Sequence, residues 1–138
     1  MEKFVYNETS KELMKQHDVV NALMNGDSIT ALLVFFPLTM IMEELIFRYY
    51  LIGLLLNELM VGFKLAIVVS SLTFSIYHVH IWFRFKDKNI LISYLISSFL
   101  LGIYNGFILL TLGVFACIIV HTFLVLILYY NFYKKLSK

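Results

Sequence analysis

Four apolar runs, at roughly residues 30–58, 64–82, 89–110 and 112–132, take up most of a 138-residue chain. Three of them are close to the length of a helix that crosses a hydrocarbon layer about 30 Å thick, about 20 residues, and the first exceeds it. Inside such a layer every backbone N–H and C=O has to be paired within the chain, and a lone short segment can do that only as a helix. The runs therefore predict an all-α, polytopic membrane helix bundle of about four transmembrane helices. Composition agrees: 61% of the residues are hydrophobic and 14% are charged, where a soluble domain carries about 25% charged. The chain divides into a polar, partly amphipathic N-terminal leader over 1–28 and a transmembrane core over 29–135.

Charge placement sets the expected orientation. The leader, the loop at 84–88 and the tail carry Lys3, Lys11, Lys15, Arg84, Lys86, Lys88, Lys134, Lys135 and Lys138. In a four-span layout the other side carries only Lys64. Lys and Arg concentrate on the cytoplasmic side, so both termini are expected to be cytoplasmic. The leader has no apolar core directly after its first basic residues, so the first span itself is expected to direct insertion. A weak stripe of Val5, Leu13, Val19, Val20, Leu23 and Met24 leaves two placements open for the leader, on the membrane surface or folded back on the bundle. Asp27 and Ser28 suit the N-cap of the helix that follows. A net charge of +2 argues against a nucleic-acid partner, and the lone Cys117 cannot form an internal disulfide.

The first run is long. From Thr30 to Glu58 a helix would extend about 43 Å at 1.5 Å per residue, so it should tilt, or bend near Pro37, the only proline. Thr111, Leu112 and Gly113 form a weak turn signal between the third and fourth runs. Gly102 and Gly106 form a GxxxG pattern, which reads first as close helix packing.

Ahead of Glu58 at its end, three charges lie inside the first run: Glu43, Glu44 and Arg48. An ionisable group at membrane depth costs at least about 2.5–3.5 kcal/mol on insertion scales, so such groups persist where they are paired or functional. Glu44 and Arg48 are spaced i, i+4 and can pair on one helix face. Glu43 is turned about 100° away and needs another partner. His78, His80 and His121 lie in or at the ends of the other runs, and His17 lies in the leader. His78 and His80, two residues apart, should point to nearly opposite sides of a helix, so at most one of them shares a site with His121. A Glu beside a His can take a proton from water, and a second His can stabilise an oxyanion. The bland reading is that these groups only lock helices together by buried polar contacts.

The spacing resembles a known family. Glu43-Glu44-Leu45-Ile46-Phe47-Arg48 is similar to the EExxxR motif of the CAAX-protease and bacteriocin-processing (CPBP) family, and Phe74-Ser75-Ile76-Tyr77-His78 to its FxxxH motif. The stretch from Leu110 to His121 resembles its third region, in which a small turn leads into a helix bearing the last histidine. The resemblance covers about residues 30–130. It implies an intramembrane glutamate-type endopeptidase that needs no metal or other cofactor. Glu43 would be the general base, helped by His78; His121 would bind the oxyanion; Glu44 and Arg48 would be the structural pair; and Phe74 would pack beside them. The implied substrate is a peptide or membrane-associated protein cut near the cytoplasmic face. Bacteriocin processing, self-immunity and CAAX-like trimming are the roles to weigh, in the plasma membrane of a microbe. A membrane partner or a homo-oligomer is left open.

The motif set departs from the family in two places. Val125 stands where the last motif commonly has Asn or Asp, with Asn105 or Thr122 as candidate replacements, and Tyr49 and Tyr50 follow Arg48 where Gly is common. Val125 keeps a rival alive, a binding or immunity protein with the same fold and no catalysis. Two others are a zinc site built from Glu and His and a proton-linked transporter.

Overall fold

The computed structural model describes residues 8–25 and 31–136. Two short helices, α1 (Glu8–Lys15) and α2 (Asp18–Asn25), form the described part of the leader. A helical rod follows from Ala31 to Asn57, in which α3 (Phe36–Glu44) and α4 (Leu51–Asn57) alternate with π-helical stretches at Ala31–Phe35 and Leu45–Tyr50. Then come α5 (Phe63–Tyr77), α6 (His80–Phe85), α7 (Lys88–Leu112) and α8 (Val114–Leu136). The expected N-caps Asp27 and Ser28, and the boundary between leader and core, lie outside the described residues.

Among the described residues, three stretches are long and apolar enough to cross a membrane: Phe63–Phe85, Lys88–Leu112 and Val114–Asn131. The Ala31–Asn57 rod, which carries Glu43, Glu44 and Arg48, is not among them. Near Pro37, where a tilt or a bend was expected, the rod changes from π-helical to α-helical. Proline cannot donate to the helical ladder, and here it sits in the first turn of α3, directly after a π-helical stretch. The second π-helical stretch contains Arg48. π-turns inside α-helices are rare and often mark functional positions.

Contacts run antiparallel from each helix to the next. Ile67 and Ser71 of α5 meet Gly106 and Gly102 of α7, Tyr94 and Asn105 of α7 meet Tyr129 and Cys117 of α8, and Phe36 and Glu44 of the rod meet Tyr129 and His121. Gly113, with φ of +84°, makes the reversal between α7 and α8; a positive φ is open to glycine without steric cost. The chain is thus an all-α membrane helix bundle. Leu65, Leu72, Leu100, Phe115 and Phe123 face outward, as lipid requires, while Ser70, Ser71, Ser98, Asn105, Glu44 and Arg48 are buried.

α5 and α7 pack closely against each other. A Cβ placed on Gly102 would lie 2.8 Å from Ser71 Cβ and 2.9 Å from its Cα, and one on Gly106 would lie 2.7 Å from Ile67. Lipid gives little hydrophobic drive for helices to associate, so small residues that let backbones approach supply the contact. Ser75 adds a hydrogen bond from its hydroxyl to the Leu95 carbonyl, 2.7 Å.

Of the two placements open to the leader, the structure has it folded back on the bundle. Arg84 donates to both carboxylate oxygens of Asp18, at 2.9 and 2.7 Å, and to the Gln16 carbonyl at 3.0 Å. Asp87 caps α7 by accepting from Ile90 N–H at 2.9 Å, and its other oxygen accepts from Ser10 at 3.1 Å. Between these contacts lies His17, stacked near Phe85 and Tyr94, with Nε2 3.0 Å from the Tyr129 hydroxyl. Tyr129 in turn meets the Tyr94 hydroxyl at 2.9 Å. Burial, and then the nearby Arg84 charge, push His17 down to about 4, against smaller effects of Asp18, which favours the proton, and His80, which opposes it.

Two expectations follow from this packing. Because His17 takes a proton more readily when undocked, leader docking is at full strength above about pH 6.5 and weakens as pH falls toward about 4. The Arg84 hydrogen bond holds Asp18 below its ordinary value, so that contact fails only at lower pH. Amide exchange protection of residues 8–25 should therefore drop between pH 6.5 and 4 in wild type and lose that step in His17→Phe; a flat profile in wild type would contradict the docking scheme. Gly102→Leu should lower stability in detergent by about 1–3 kcal/mol, the usual range for overpacking, whereas an exposed change such as Leu100→Ala should cost much less.

Candidate active site

Glu44 is where the helices converge. It lies at the end of α3, fully buried. Its Oε1 accepts from His121 Nδ1 of α8 at 2.6 Å and from Asn105 Nδ2 of α7 at 3.0 Å. Its Oε2 lies 3.4 Å from Arg48 Nε, an ion pair without hydrogen-bonding geometry. The i, i+4 pairing read from the sequence is therefore present, and two further helices contribute to the same carboxylate.

Arg48 is fully buried, and its guanidinium carbon stands 4.0 Å from the centre of the Phe74 ring. A desolvated cation over an aromatic face gains about 2 kcal/mol or more. None of the three guanidinium nitrogens has a hydrogen-bond partner among the described residues, and the same holds for Glu43 Oε2, Glu44 Oε2 and Asn105 Oδ1. Buried polar atoms are normally satisfied by protein or ordered water, so this cluster suits water or a polar ligand.

Glu43 is buried with slight exposure, and its Oε2 is 3.7 Å from His121 Nε2. One imidazole thus lies between two adjacent carboxylates that project in different directions from the rod. A carboxylate partner on Nδ1 fixes the proton there and turns Nε2 toward Glu43. His78 stands at the C-terminal end of α5, where the helix breaks before α6. Its Nδ1 meets the Phe74 carbonyl at 2.9 Å, which leaves Nε2 as the free nitrogen. Phe74 itself is fully buried and meets both imidazoles edge to face, at 4.8 Å for His78 and 5.7 Å for His121.

The structure therefore brings Glu43, Glu44, Arg48, Phe74 and His121 into contact, with His78 joined to them through Phe74. No direct hydrogen bond or ion pair links His78 to Glu43 among the described residues. His80 does not point away as a continuous helix would require. The break at His78–Val79 leaves the two rings 6.0 Å apart, although His80 is exposed and bonds the Tyr77 carbonyl at 2.8 Å. Val125 is half-buried on α8. Of its two candidate replacements, Thr122 donates back to the Ile118 carbonyl at 2.7 Å, and Asn105 is fully buried in the cluster. Among the described residues, no three His, Cys, Asp or Glu side chains are arranged to hold a metal ion.

Breaking the buried pair should be costly. Arg48→Leu leaves Glu44 without its cation and should lower stability by about 3–5 kcal/mol. The double change Glu44→Leu with Arg48→Leu should recover part of that loss. Thermal unfolding in detergent measures both, and equal destabilisation by the single and double variants would count against the pairing.

A family model described as type II CAAX prenyl endopeptidase Rce1-like matches residues 25–127. Searches of curated proteins and of solved structures each gave no match. The matched region contains all the residues of the cluster and well over half of the chain, and on that ground this integral membrane protein belongs to the type II CAAX prenyl endopeptidase Rce1-like family, a family of proteases.

Proposed function

We propose that the chain is an intramembrane glutamate-type endopeptidase in which Glu43 activates water. The observation that carries this reading is the position of Glu43: a buried carboxylate with one oxygen unpartnered among the described residues, 3.7 Å from an imidazole already oriented by a second carboxylate. Water held between Glu43 and the free Nε2 of His78 gives its proton to Glu43 as the oxygen bonds to the scissile carbonyl carbon. His121, in the form that carries a proton on Nε2 as well as on Nδ1, supports the charge that develops on the carbonyl oxygen. As the C–N bond breaks, the proton passes from Glu43 to the leaving nitrogen, which balances hydrolysis without a covalent enzyme intermediate or a metal.

The family description favours a peptide substrate at the C-terminal end of a membrane-anchored protein, of the CAAX prenyl type. Bacteriocin processing and self-immunity are alternatives within the same chemistry. The Lys and Arg asymmetry favours cleavage near the cytoplasmic face, both termini on that side and four spans. The plasma membrane of a microbe is the proposed location. One observation favours a second reading, a binding or immunity protein: Val125 has no hydrogen-bond donor at a position where one would serve an oxyanion, and losing such a donor typically costs about 10²–10³ in turnover.

Glu43→Gln separates the two. Assayed in membranes on a quenched peptide, or by phenotype where no peptide is cut, it should lose at least about 10²-fold in activity while inserting normally, and His78→Ala should fall with it. Unchanged function in Glu43→Gln would leave binding as the explanation.

A further inference from the structure

We infer that Asn105 is a positioning residue for hydrolysis, holding Glu44 so that His121 is aimed at Glu43. The inference rests on the hydrolase reading and deepens it. Asn105 comes from α7, outside all three motifs, and is fully buried. Its amide donates to Glu44 Oε1 at 3.0 Å, the same oxygen that takes His121 Nδ1 at 2.6 Å. The same nitrogen reaches the Cys117 carbonyl of α8 at 3.3 Å, and the Cys117 thiol returns a contact to the Asn105 carbonyl at 3.3 Å. The side chain therefore ties together the rod that bears both glutamates, its own helix, and the helix that bears His121.

The geometry distinguishes this from simple packing. A side chain present only to fill space would need no donor, and an amide buried in lipid-facing helices carries a desolvation cost unless it is bonded. The amide orientation is determined, because turning it would set Oδ1 against a carboxylate and a carbonyl. With two donors on Oε1 and Arg48 beside Oε2, the Glu44 carboxylate has one orientation, and so has the imidazole it holds. Partners that orient a metal-bound histidine typically change activity by about 10–100-fold when removed, and an effect of that order is expected for a partner that orients His121.

The test uses the full chain in membranes or lipid nanodiscs, with activity divided by the amount of folded enzyme. Asn105→Leu keeps the volume and removes the donor; kcat should fall about 10–100-fold with KM nearly unchanged. Asn105→Asp keeps the shape but donates only when protonated, so its activity relative to wild type should rise as pH is lowered. Wild-type kcat and pH profile in Asn105→Leu, with Glu43→Gln inactive, would overturn the inference and leave the hydrolase reading standing. An active Glu43→Gln would instead remove the reading beneath it. If Asn105→Leu fails to accumulate, Asn105→Asp decides alone: recovery at low pH supports the role, and activity that keeps a constant ratio to wild type overturns it.

Discussion

The rest of this bundle depends on the burial of Glu44. A carboxylate inside an apolar layer has no water to compensate it, and a membrane chain that keeps one must supply cations and donors from its own helices. Here they come from three places: Arg48 one turn along the same rod, Asn105 from α7 and His121 from α8. Arg48 acts within the rod, while Asn105 ties the rod to α7 and His121 ties it to α8. Loss of any one leaves a buried polar group unpaired, which costs more than a paired group contributes. Glu44 therefore fixes the relative placement of the helices, and Glu43, the next residue, inherits a defined position from it.

That arrangement needs α7 close to α5. Ser98, Gly102 and Gly106 recur every four residues on α7, and Ser71 and Ser75 have the same spacing on α5. The two glycines meet Ser71 and Ile67 so closely that side chains in their place would have to push the helices apart. Tyr94 and Asn105, about three turns apart on α7, both face α8 instead. One face of α7 thus sets its depth against α5, and another carries the polar links. Van der Waals approach by small residues places the donors that the buried carboxylate requires.

Much of this was legible in the sequence, and the limits have physical causes. The apolar runs gave the helices, and the i, i+4 spacing gave Glu44–Arg48, because both depend only on local geometry. The preference of His121 for Glu44, with Glu43 as its second neighbour, depends on which side of α8 meets the rod, and periodicity does not contain that. The relation of His78 to His80 was misread because the opposite-sides argument assumes an unbroken helix, and the chain breaks between them. The π-helical stretches carry no signature in their residue types. The leader's docking depends on partners 66 to 112 residues away, Arg84 on Asp18 and Tyr129 on His17, so a weak apolar stripe could not decide it. Asn105 was visible only as one of two candidates, since a lone Asn in an apolar run is equally consistent with a helix-locking contact.

The same geometry bears on the departure at Val125. A donor one turn beyond His121 on α8 would act from the same helix as the histidine, and valine there contributes only volume. Asn105 approaches from α7, and its amide is committed to Glu44 and to the Cys117 carbonyl, so it does not simply replace a donor at the scissile carbonyl. The cluster's spare donors are the Arg48 nitrogens, which have no hydrogen-bond partner among the described residues. They lie behind Phe74 and beside Glu44, where they stabilise the second glutamate more directly than a developing oxyanion. In the proposed chemistry, stabilisation of the oxyanion therefore falls to His121, through a proton on Nε2. That places a heavier demand on the orientation of His121 than a site with an additional donor would, and the three-helix hold on Glu44 is what meets it.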